Sequence, residues 1–371
     1  MRILQLTTHF SPNVGGVETH LSDLIRSLIN KNYKVFVLTY RPLVTKAPWK
    51  IYEKKKNLEI FRIPWMRGFF YTFVSHPILE FLYLIPGIFL ITPFIIFVKK
   101  PQIIHAHGLI AGFVGVFWGK LLRKKIIISL HNIYHFPKSG LYKQFAMWIF
   151  SNAQSILCLS SQSVEEIGDL DIQKNKIHQF TYWVDLKKFQ TVPNAKKQLK
   201  WDKKFTILFV GRLVAEKGIK ELLESVTIWN KNIQLVIIGV GPLEAEIKIQ
   251  NEKIKNMQFL GKVNNELLPL YYSGTDLLIV PSMHEEGFGR VILESLGCGT
   301  PVIGAKRGAI PDAMDETVGT LIKVTPNNIK NTVEYYSTHP KILAQLKKNC
   351  ILFAQKRYSE KNIEEIIKWY T

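Results

Sequence analysis

The chain has 371 residues, of which 47% are hydrophobic and 21% charged; this composition excludes a disordered protein and allows two domains with full cores. Its three widely spaced cysteines exclude a disulfide framework and favour a reducing compartment. The net charge is +20, and residues 1–150 hold 20 Lys/Arg against 5 Asp/Glu. This excess predicts an anionic partner for the N-terminal half, either lipid headgroups or nucleic acid. The alternative is that the excess serves solubility and a phosphate-rich substrate.

The chain begins with a predicted strand at residues 3–7 and a helix at about 18–29, so we expect no signal peptide before them. Gly15 and Gly16 lie where this helix begins, and the backbone amides of a helix start can bind a phosphate. The loop has neither the G-K-[ST] of a P-loop nor G-x-G-x-x-G. The alternative is a plain tight turn between strand and helix.

Basic and aromatic residues dominate the next region. After a predicted strand at 34–39, residues 41–67 hold eight Lys/Arg in an irregular stretch, and aromatic residues are interleaved as far as Tyr71. This pattern is typical of proteins that bind single-stranded nucleic acid or a membrane interface. Residues 78–98 then hold one charge, Glu80, in 21 residues, which is the length of a membrane span.

Two observations argue against a simple crossing by residues 78–98. Pro86, Gly87 and Pro93 interrupt the segment, and strands predicted for one sheet lie before and after it, at 59–63 and 103–107. A crossing would place these two strands on opposite sides of the bilayer. We therefore predict a monotopic or re-entrant patch that enters one leaflet together with the basic residues. The alternative is a helix buried in the N-terminal domain.

Histidines mark the ends of two predicted strands. His105 and His107 are two residues apart in strand 103–107, so they share one face of the sheet. Such a pair can bind zinc, but no carboxylate or cysteine set accompanies it, and we expect no metal. His131 closes the next strand, at 126–130, at the same edge. The alternative for His107 is a hydrogen-bonded histidine at a strand end.

The second half of the chain repeats the alternation of strands and helices. A polar, lysine-rich segment at 186–204 predicts the linker between two domains. The strand at 206–210 leads into a loop with Gly211, Arg212 and Lys217, which by its residues alone could be a solvated basic loop. Gly239-Val240-Gly241 begins like a dinucleotide fingerprint but has Glu244 at its third glycine, which predicts a structural turn.

Residues 277–312 combine several features suited to one ligand. Strand 277–280 leads into a loop with Glu286, then Gly287-Phe288-Gly289 and a helix that carries Glu294 about two turns further on. Glycines allow close approach of the backbone, and amides at the helix start suit a phosphate. Carboxylates suit hydroxyl groups. The combination predicts a nucleotide-sugar site.

Residues 285–303, EEGFGRVILESLGCGTPVI, resemble the E-x7-E signature of glycosyltransferase family 4, with Glu286 and Glu294 as its two acids. Similar motifs near residues 9–20, 101–108, 208–218, 239–244 and 277–312 extend the resemblance over most of the chain. One departure is Tyr182-Trp183, which replaces the Asn-Gly that the family has before Val184-Asp185.

The resemblance implies an α/β protein of the GT-B fold, with two doubly wound, Rossmann-like domains facing across a cleft. Residues 1–185 would form the acceptor-side domain and residues 186–354 the nucleotide-sugar domain. A C-terminal helix at about 355–371 would pack back on the first domain. In this fold ligands bind at the carboxyl ends of the parallel strands.

The resemblance also implies roles for the candidate residues. Glu286 would bind sugar hydroxyls, Glu294 ribose hydroxyls, and His107 would line the sugar pocket on the acceptor side. Arg212 and Lys217 would stabilise the departing diphosphate. The other candidates are loop residues that would approach the donor: Gly15, Gly16, Gly211, Lys262, Val263, Gly287, Phe288 and Gly289.

The implied activity is that of a retaining glycosyltransferase that moves a sugar from a nucleotide sugar to an acceptor hydroxyl, with no cofactor and no metal. The acceptor would be a glycan or a lipid-linked saccharide in cell-envelope, glycolipid or polysaccharide synthesis. The enzyme would be cytoplasmic and peripheral or monotopic on an anionic membrane surface, and we expect no nucleic acid partner. The alternatives are a catalytically silent membrane-bound scaffold of the same fold and a nucleic-acid-binding protein.

Overall fold

The computed structural model describes residues 1–13, 15–67, 73, 76–201 and 203–371. The chain forms two compact units. The N-terminal unit comprises Met1–Thr181 together with Ile363–Thr371, and the C-terminal unit comprises Tyr182–Asn362. The first division lies near the predicted boundary at 185, whereas the returning segment begins at Ile363 rather than at about 355.

Eight strands of the N-terminal unit form one sheet within the described residues, in the order β3-β4-β2-β1-β5-β6-β7-β8. The neighbouring strands pair in parallel except β3 and β4, which are antiparallel. The central strands are nearly continuous apolar runs because helices cover both faces of a parallel sheet. The strands are β1 (Arg2–Thr7), β2 (Lys34–Tyr40), β3 (Tyr52–Lys55), β4 (Leu58–Ile63), β5 (Ile103–His107), β6 (Lys125–Leu130), β7 (Ser155–Cys158) and β8 (Ile177–Gln179).

Helices follow most of these strands: α1 (Gly16–Asn30), α2 (Pro77–Lys99), α3 (Leu109–Leu121), α4 (Leu141–Ser151) and α5 (Ser161–Gly168). The strand predicted at 103–107 is confirmed with the same bounds, and strands 3–7, 34–39, 59–63 and 126–130 are confirmed with one added residue each. The expected irregularity of residues 41–67 is wrong in part, because β3 forms a hairpin with β4. Strand β3 has the sequence Tyr-Glu-Lys-Lys, and such a charged strand suits a sheet edge but gives no apolar pattern. Residues Phe69, Phe70 and Tyr71 lie outside the described residues.

Helix α2 is fixed to the core of the N-terminal unit by Tyr40. The Tyr40 hydroxyl donates to the Leu84 carbonyl at 2.5 Å and accepts from the Ile88 amide at 3.1 Å, so it bridges these two helix positions. Gly87 makes room for this contact, because a Cβ there would lie 2.6 Å from the Tyr40 ring. Leu84 and Ile88 are fully buried. Strands β4 and β5, which precede and follow α2, belong to one sheet as predicted.

In the described part of the C-terminal unit, six parallel strands form a sheet in the order β11-β10-β9-β12-β13-β14. The strands are β9 (Phe205–Val210), β10 (Ile233–Ile238), β11 (Met257–Gly261), β12 (Leu277–Val280), β13 (Val302–Ala305) and β14 (Gly319–Ile322). The helices are α6 (Ala195–Gln198), α7 (Ile219–Val226), α8 (Glu244–Lys253), α9 (Leu268–Ser273), α10 (Arg290–Gly297), α11 (Ile310–Ala313), α12 (Pro326–Thr338) and α13 (Pro340–Arg357). The strand predicted at 277–280 is confirmed with the same bounds.

Two segments differ from the sequence-based expectations. Residues 186–204 lie within the C-terminal unit and are not a free linker, since Phe189 and Trp201 are buried there. These apolar residues are too widely spaced among lysines to give a recognisable pattern. The C-terminal helix is shorter than expected: a 3₁₀ turn at Glu360–Ile363 leads to α14 (Glu364–Ile367). In this segment the Trp369 ring stacks on His178 at 3.5 Å.

Candidate active site

Strands β1 and β5 end side by side in the N-terminal unit, with Thr7 paired to His107. The loop after β1 leads to Gly15, the N-cap of α1, whose backbone is extended. A side chain at Gly15 would meet the carboxylate of Glu18. The helix start that the sequence predicts as a phosphate site therefore has an acid of its own beside it. Gly16 is the first residue of α1.

His107 lies almost fully buried at the end of β5. Its Nδ1 is 3.0 Å from His131 Nε2, and its Nε2 is 2.6 Å from Gln5 Oε1. The rings of His105 and His107 are 4.3 Å apart, which confirms that they share a face. Burial places the pKa of His107 well below its ordinary value, so the ring is neutral at physiological pH. His131 meets His107 at this edge, as predicted.

Neighbouring loops meet at the carboxyl ends of β9 and β12 in the C-terminal unit. Gly218 has a φ of 68°, and a Cβ there would collide with the carbonyl oxygen of Pro281. The Met283 amide donates to the Glu216 carbonyl at 2.8 Å. Because only glycine allows this approach, Gly218 brings the loop with Arg212 and Lys217 against the loop with Glu286.

Glu286 and Lys217 form an ion pair between these two loops. Lys217 Nζ lies 2.5 Å from Glu286 Oε1, and the hydroxyl of Ser282 donates to the same oxygen. The side chains of Lys217 and Glu286 are 16% and 12% exposed. Burial alone would raise the pKa of Glu286, but the Lys217 ammonium and the Ser282 hydroxyl outweigh it, so the pKa lies below its ordinary value. Glu286 is thus held as an oriented carboxylate.

Glu294 lies on α10 and is 5% exposed. Its Oε2 accepts a hydrogen bond from the Tyr272 hydroxyl at 2.9 Å, and its Oε1 one from Arg290 Nε at 3.3 Å. Burial raises the pKa of Glu294, and the nearby Arg290 opposes that rise. A carboxylate has about four acceptor positions, so two internal bonds leave it able to accept a hydroxyl.

The G-F-G turn connects the two acids. Gly289 is the N-cap of α10 with a φ of 73°, and Phe288 is 4% exposed. The Phe288 ring packs against Tyr182 at 5.8 Å and against Tyr358 at 6.1 Å. This contact gives Tyr182, the residue that departs from the family's Asn-Gly, a role in fixing the turn. The helix dipole makes the N-terminal end of α10 suitable for binding an anion.

The other donor-site candidates lie in loops at the same edge of the sheet. Within the part of the chain that the structure describes, the exposed guanidinium of Arg212 has no hydrogen bond or ion pair. Lys262 is exposed and Val263 half-buried just after β11. Gly211 donates its amide to the Ile238 carbonyl at 3.1 Å. A Cβ at Gly239 would collide with the Gly211 carbonyl, which supports the structural turn predicted there.

Several polar contacts of the candidate site were not predicted from the sequence. Arg290 and Glu294 are four residues apart on α10, a spacing that could have indicated their ion pair. Ser282, Tyr272 and Gln5 reach the site residues only through the fold, and no local pattern marks them. The described residues contain no group of three or more His, Cys, Asp or Glu that could hold a metal ion.

Comparison with known proteins identifies the class of this chain. A solved structure of Anabaena Alr3699/HepE in complex with UDP superposes with a TM-score of 0.77 and 19% identity, over 99% of this chain and 98% of that one. Together with the two parallel sheets, this likeness shows the GT-B fold of glycosyltransferases.

Sequence comparison then gives the family. The model described as Glycosyltransferase Family 4 matches residues 14–188, and the model described as Glycosyl transferases group 1 matches residues 192–352. These matches cover most of the chain, and the chain belongs to glycosyltransferase family 4. It is 26% identical to the uncharacterized glycosyltransferase MJ1607 of Methanocaldococcus jannaschii, over 88% of this chain and 86% of the relative. It is 22% identical to the GPI3 subunit of the phosphatidylinositol N-acetylglucosaminyltransferase of Saccharomyces cerevisiae. That match covers 84% of this chain and 69% of the relative.

Proposed function

We propose that this glycosyltransferase is a retaining, metal-independent enzyme that moves a sugar from a nucleotide sugar to a hydroxyl of a lipid-linked or membrane-associated glycan. Its role would be in cell-envelope, glycolipid or polysaccharide synthesis. The observation that carries the proposal is the Lys217–Glu286 pair, whose acid lies on the loop that leads through the G-F-G turn to Glu294. The UDP in the Anabaena structure supports a nucleotide-sugar donor.

The proposed mechanism assigns the donor to the C-terminal unit. Glu286 accepts hydrogen bonds from sugar hydroxyls, and Glu294 from ribose hydroxyls. The diphosphate lies at the N-terminal end of α10, where Arg212 and Lys217 stabilise its charge as it departs. The acceptor oxygen bonds to the anomeric carbon from the face that the diphosphate leaves. The acceptor proton passes to the departing phosphate oxygen, so the products are the glycoside and a nucleoside diphosphate.

Metal independence follows from the same groups in this proposal. The exposed Arg212, the ammonium of Lys217 and the α10 N-terminus supply the positive charge that a divalent cation supplies in other transferases. His107 lines the acceptor side in its neutral form. No covalent nucleophile is assigned, and Glu286 acts only as an acceptor of hydrogen bonds from the sugar.

A membrane-surface partner is supported by three helices of the N-terminal unit. Helices α2, α3 and α4 pack together through aromatic rings, with Phe89 stacked on Phe113 at 6.2 Å and Phe81 against Phe145 at 5.3 Å. Large apolar side chains are exposed on these helices, and we call this set the apolar helical surface: Ile78, Leu82, Leu90, Phe94, Phe97, Phe117, Leu121, Leu141 and Trp148.

We propose that the apolar helical surface enters one leaflet on the cytoplasmic face. Within the described residues, α2 is long and apolar enough to cross a membrane by length and composition alone. However, Tyr40 holds it on the core, and β4 and β5 on either side of it share one sheet. The exposed cations Lys100, Lys120 and Arg123 near the ends of α2 and α3 suit anionic headgroups. The yeast relative, named for transfer to phosphatidylinositol, supports a lipid acceptor.

Donor binding tests the proposed function. Thermal unfolding is measured with UDP-, GDP-, ADP- and CDP-sugars for the wild type, for Glu286→Gln and for a matched control, Glu334→Gln, which removes a partly exposed ion pair with Lys330 on α12. A donor at about a hundred times its dissociation constant should stabilise the wild type by roughly 2.7 kcal/mol. We expect one donor to stabilise the wild type and the control, with a weaker response in Glu286→Gln. No response to any donor, with and without anionic vesicles, would contradict the transferase and favour a silent scaffold.

A further inference from the structure

The C-terminal tail reaches the buried histidines of the N-terminal unit through Tyr370. Tyr370 is 2% exposed, and its hydroxyl oxygen lies 2.7 Å from His105 Nδ1 and 3.4 Å from Gln5 Nε2. The other end of the Gln5 amide, Oε1, lies 2.6 Å from His107 Nε2. Gln5 and His105 are fully buried. One amide therefore joins the penultimate residue of the chain to the candidate acceptor-side histidine.

The Gln5 amide gives these contacts a direction. Its oxygen can only accept, so His107 Nε2 carries a proton and donates it, and Nδ1 of the neutral ring then accepts from His131 Nε2. The amide nitrogen donates to Tyr370, which leaves the Tyr370 hydroxyl to donate to His105 Nδ1. His105 Nε2 in turn donates to Ser129 at 2.7 Å. Every group between His131 and Ser129 thus donates once and accepts once.

Burial keeps the three histidines neutral, so a second ring proton is not available to satisfy these hydrogen bonds. Desolvation lowers the pKa of His105 and of His131 to about 3, and that of His107 well below its ordinary value. A neutral imidazole has one donor and one acceptor nitrogen, so the position of the proton is decided by its partners. The partner that decides it for His107 is the Gln5 amide, which needs Tyr370 as an acceptor.

We propose that Tyr370 is a positioning residue for the transfer reaction: through Gln5 it fixes the ring orientation and the protonated nitrogen of His107. The proposal rests on the acceptor-side role of His107 in the proposed function. Without the hydroxyl, the Gln5 Nε2 loses its acceptor and His105 Nδ1 loses its donor, both in a buried site. The amide is then free to turn, and a turned amide presents a donor to His107 Nε2 and reverses the tautomer.

The test compares Tyr370→Phe with a matched control, Tyr33→Phe. The Tyr33 ring lies edge-on to Tyr370 at 6.4 Å, so this control removes a neighbouring hydroxyl outside the chain of bonds. Ring ¹⁵N chemical shifts, which distinguish the two histidine tautomers, are recorded on the full chain, with the His107 signal identified by His107→Gln. Kinetic constants are measured alongside on the same proteins.

We expect Tyr370→Phe to change the His107 ring signals and to lower kcat about ten-fold, the effect of one lost buried hydrogen bond, with the KM for the donor nearly unchanged. Tyr33→Phe should match the wild type in its His107 ring signals and in its kcat. Gln5→Met should reproduce the change in kcat, and adding Tyr370→Phe to it should have no further effect, because both act through one amide.

Wild-type ring signals and kcat in Tyr370→Phe would overturn the proposal, as would additive effects of Gln5→Met and Tyr370→Phe. The ring signals do not depend on turnover. If the wild type transfers no sugar, the proposed function fails and the catalytic part of this proposal fails with it, whereas a changed His107 signal in Tyr370→Phe still shows that Tyr370 fixes the His107 ring.

Discussion

The apolar helical surface predicts a measurable loss of membrane binding when two of its side chains become polar. Leu90 and Phe94 on α2 are 71% and 63% exposed. Transfer of such a side chain from water to an apolar environment is favourable by about 1.5–3 kcal/mol when it is complete. With the lower value, moving the exposed parts of both side chains into lipid contributes about 2 kcal/mol to the free energy of membrane binding. The partition coefficient of the double variant Leu90→Gln, Phe94→Gln should therefore fall roughly thirty-fold.

Flotation of the protein with vesicles of phosphatidylcholine and phosphatidylglycerol measures this partition coefficient. The matched control is Leu352→Gln on α13 of the C-terminal unit, where the leucine is 67% exposed but lies outside the apolar helical surface. The control should bind like the wild type. Both variants should unfold at the wild-type temperature, since the replaced side chains are largely in solvent. Equal binding by the double variant and the wild type would refute this account of the surface.

Three further predictions follow from particular contacts. Lys217→Met removes the charge that lowers the pKa of Glu286, so burial raises that pKa and the acidic limb of the pH profile of kcat/KM moves to higher pH; an unchanged limb would contradict the ion pair. Gly87→Ala places a Cβ against the Tyr40 ring and should lower the free energy of unfolding, measured with denaturant, by about 1–3 kcal/mol. Gly168→Ala, with no atom within 4 Å of the new Cβ, should leave that free energy nearly unchanged. Equal stabilities of the two variants would contradict the contact between Tyr40 and α2. Chelation by EDTA should leave the rate of transfer unchanged, and activity that returns only with added Mg²⁺ or Mn²⁺ would contradict metal independence.

Much of the sheet architecture follows from local sequence patterns. The strand Leu277–Val280 is a short apolar run bounded by turn residues, and a buried parallel strand needs no other signal. The pattern fails at β3, where a charged strand at the sheet edge pairs with β4. It also fails at 186–204, where isolated apolar residues pack into the C-terminal unit among lysines.

The sequence indicates which residues to propose for the candidate site but not their contacts. The motif indicates Glu286 and Lys217 as site residues, yet their ion pair depends on the close approach of Gly218 to Pro281, which no sequence spacing reveals. The same holds for Tyr370, which is 365 positions from Gln5 in sequence and meets it only because the tail returns to the N-terminal unit. Such contacts come from tertiary structure alone.

The stereochemistry of one turnover tests the central claim most directly. The donor that stabilises the protein is incubated with a lipid-linked acceptor, and proton NMR records the anomeric configuration of the new glycoside and the release of nucleoside diphosphate. The account predicts the donor's own configuration in the product, equal amounts of glycoside and nucleoside diphosphate, and strongly reduced transfer by Glu286→Gln but not by Glu334→Gln. An inverted product, or full activity of Glu286→Gln, would contradict it.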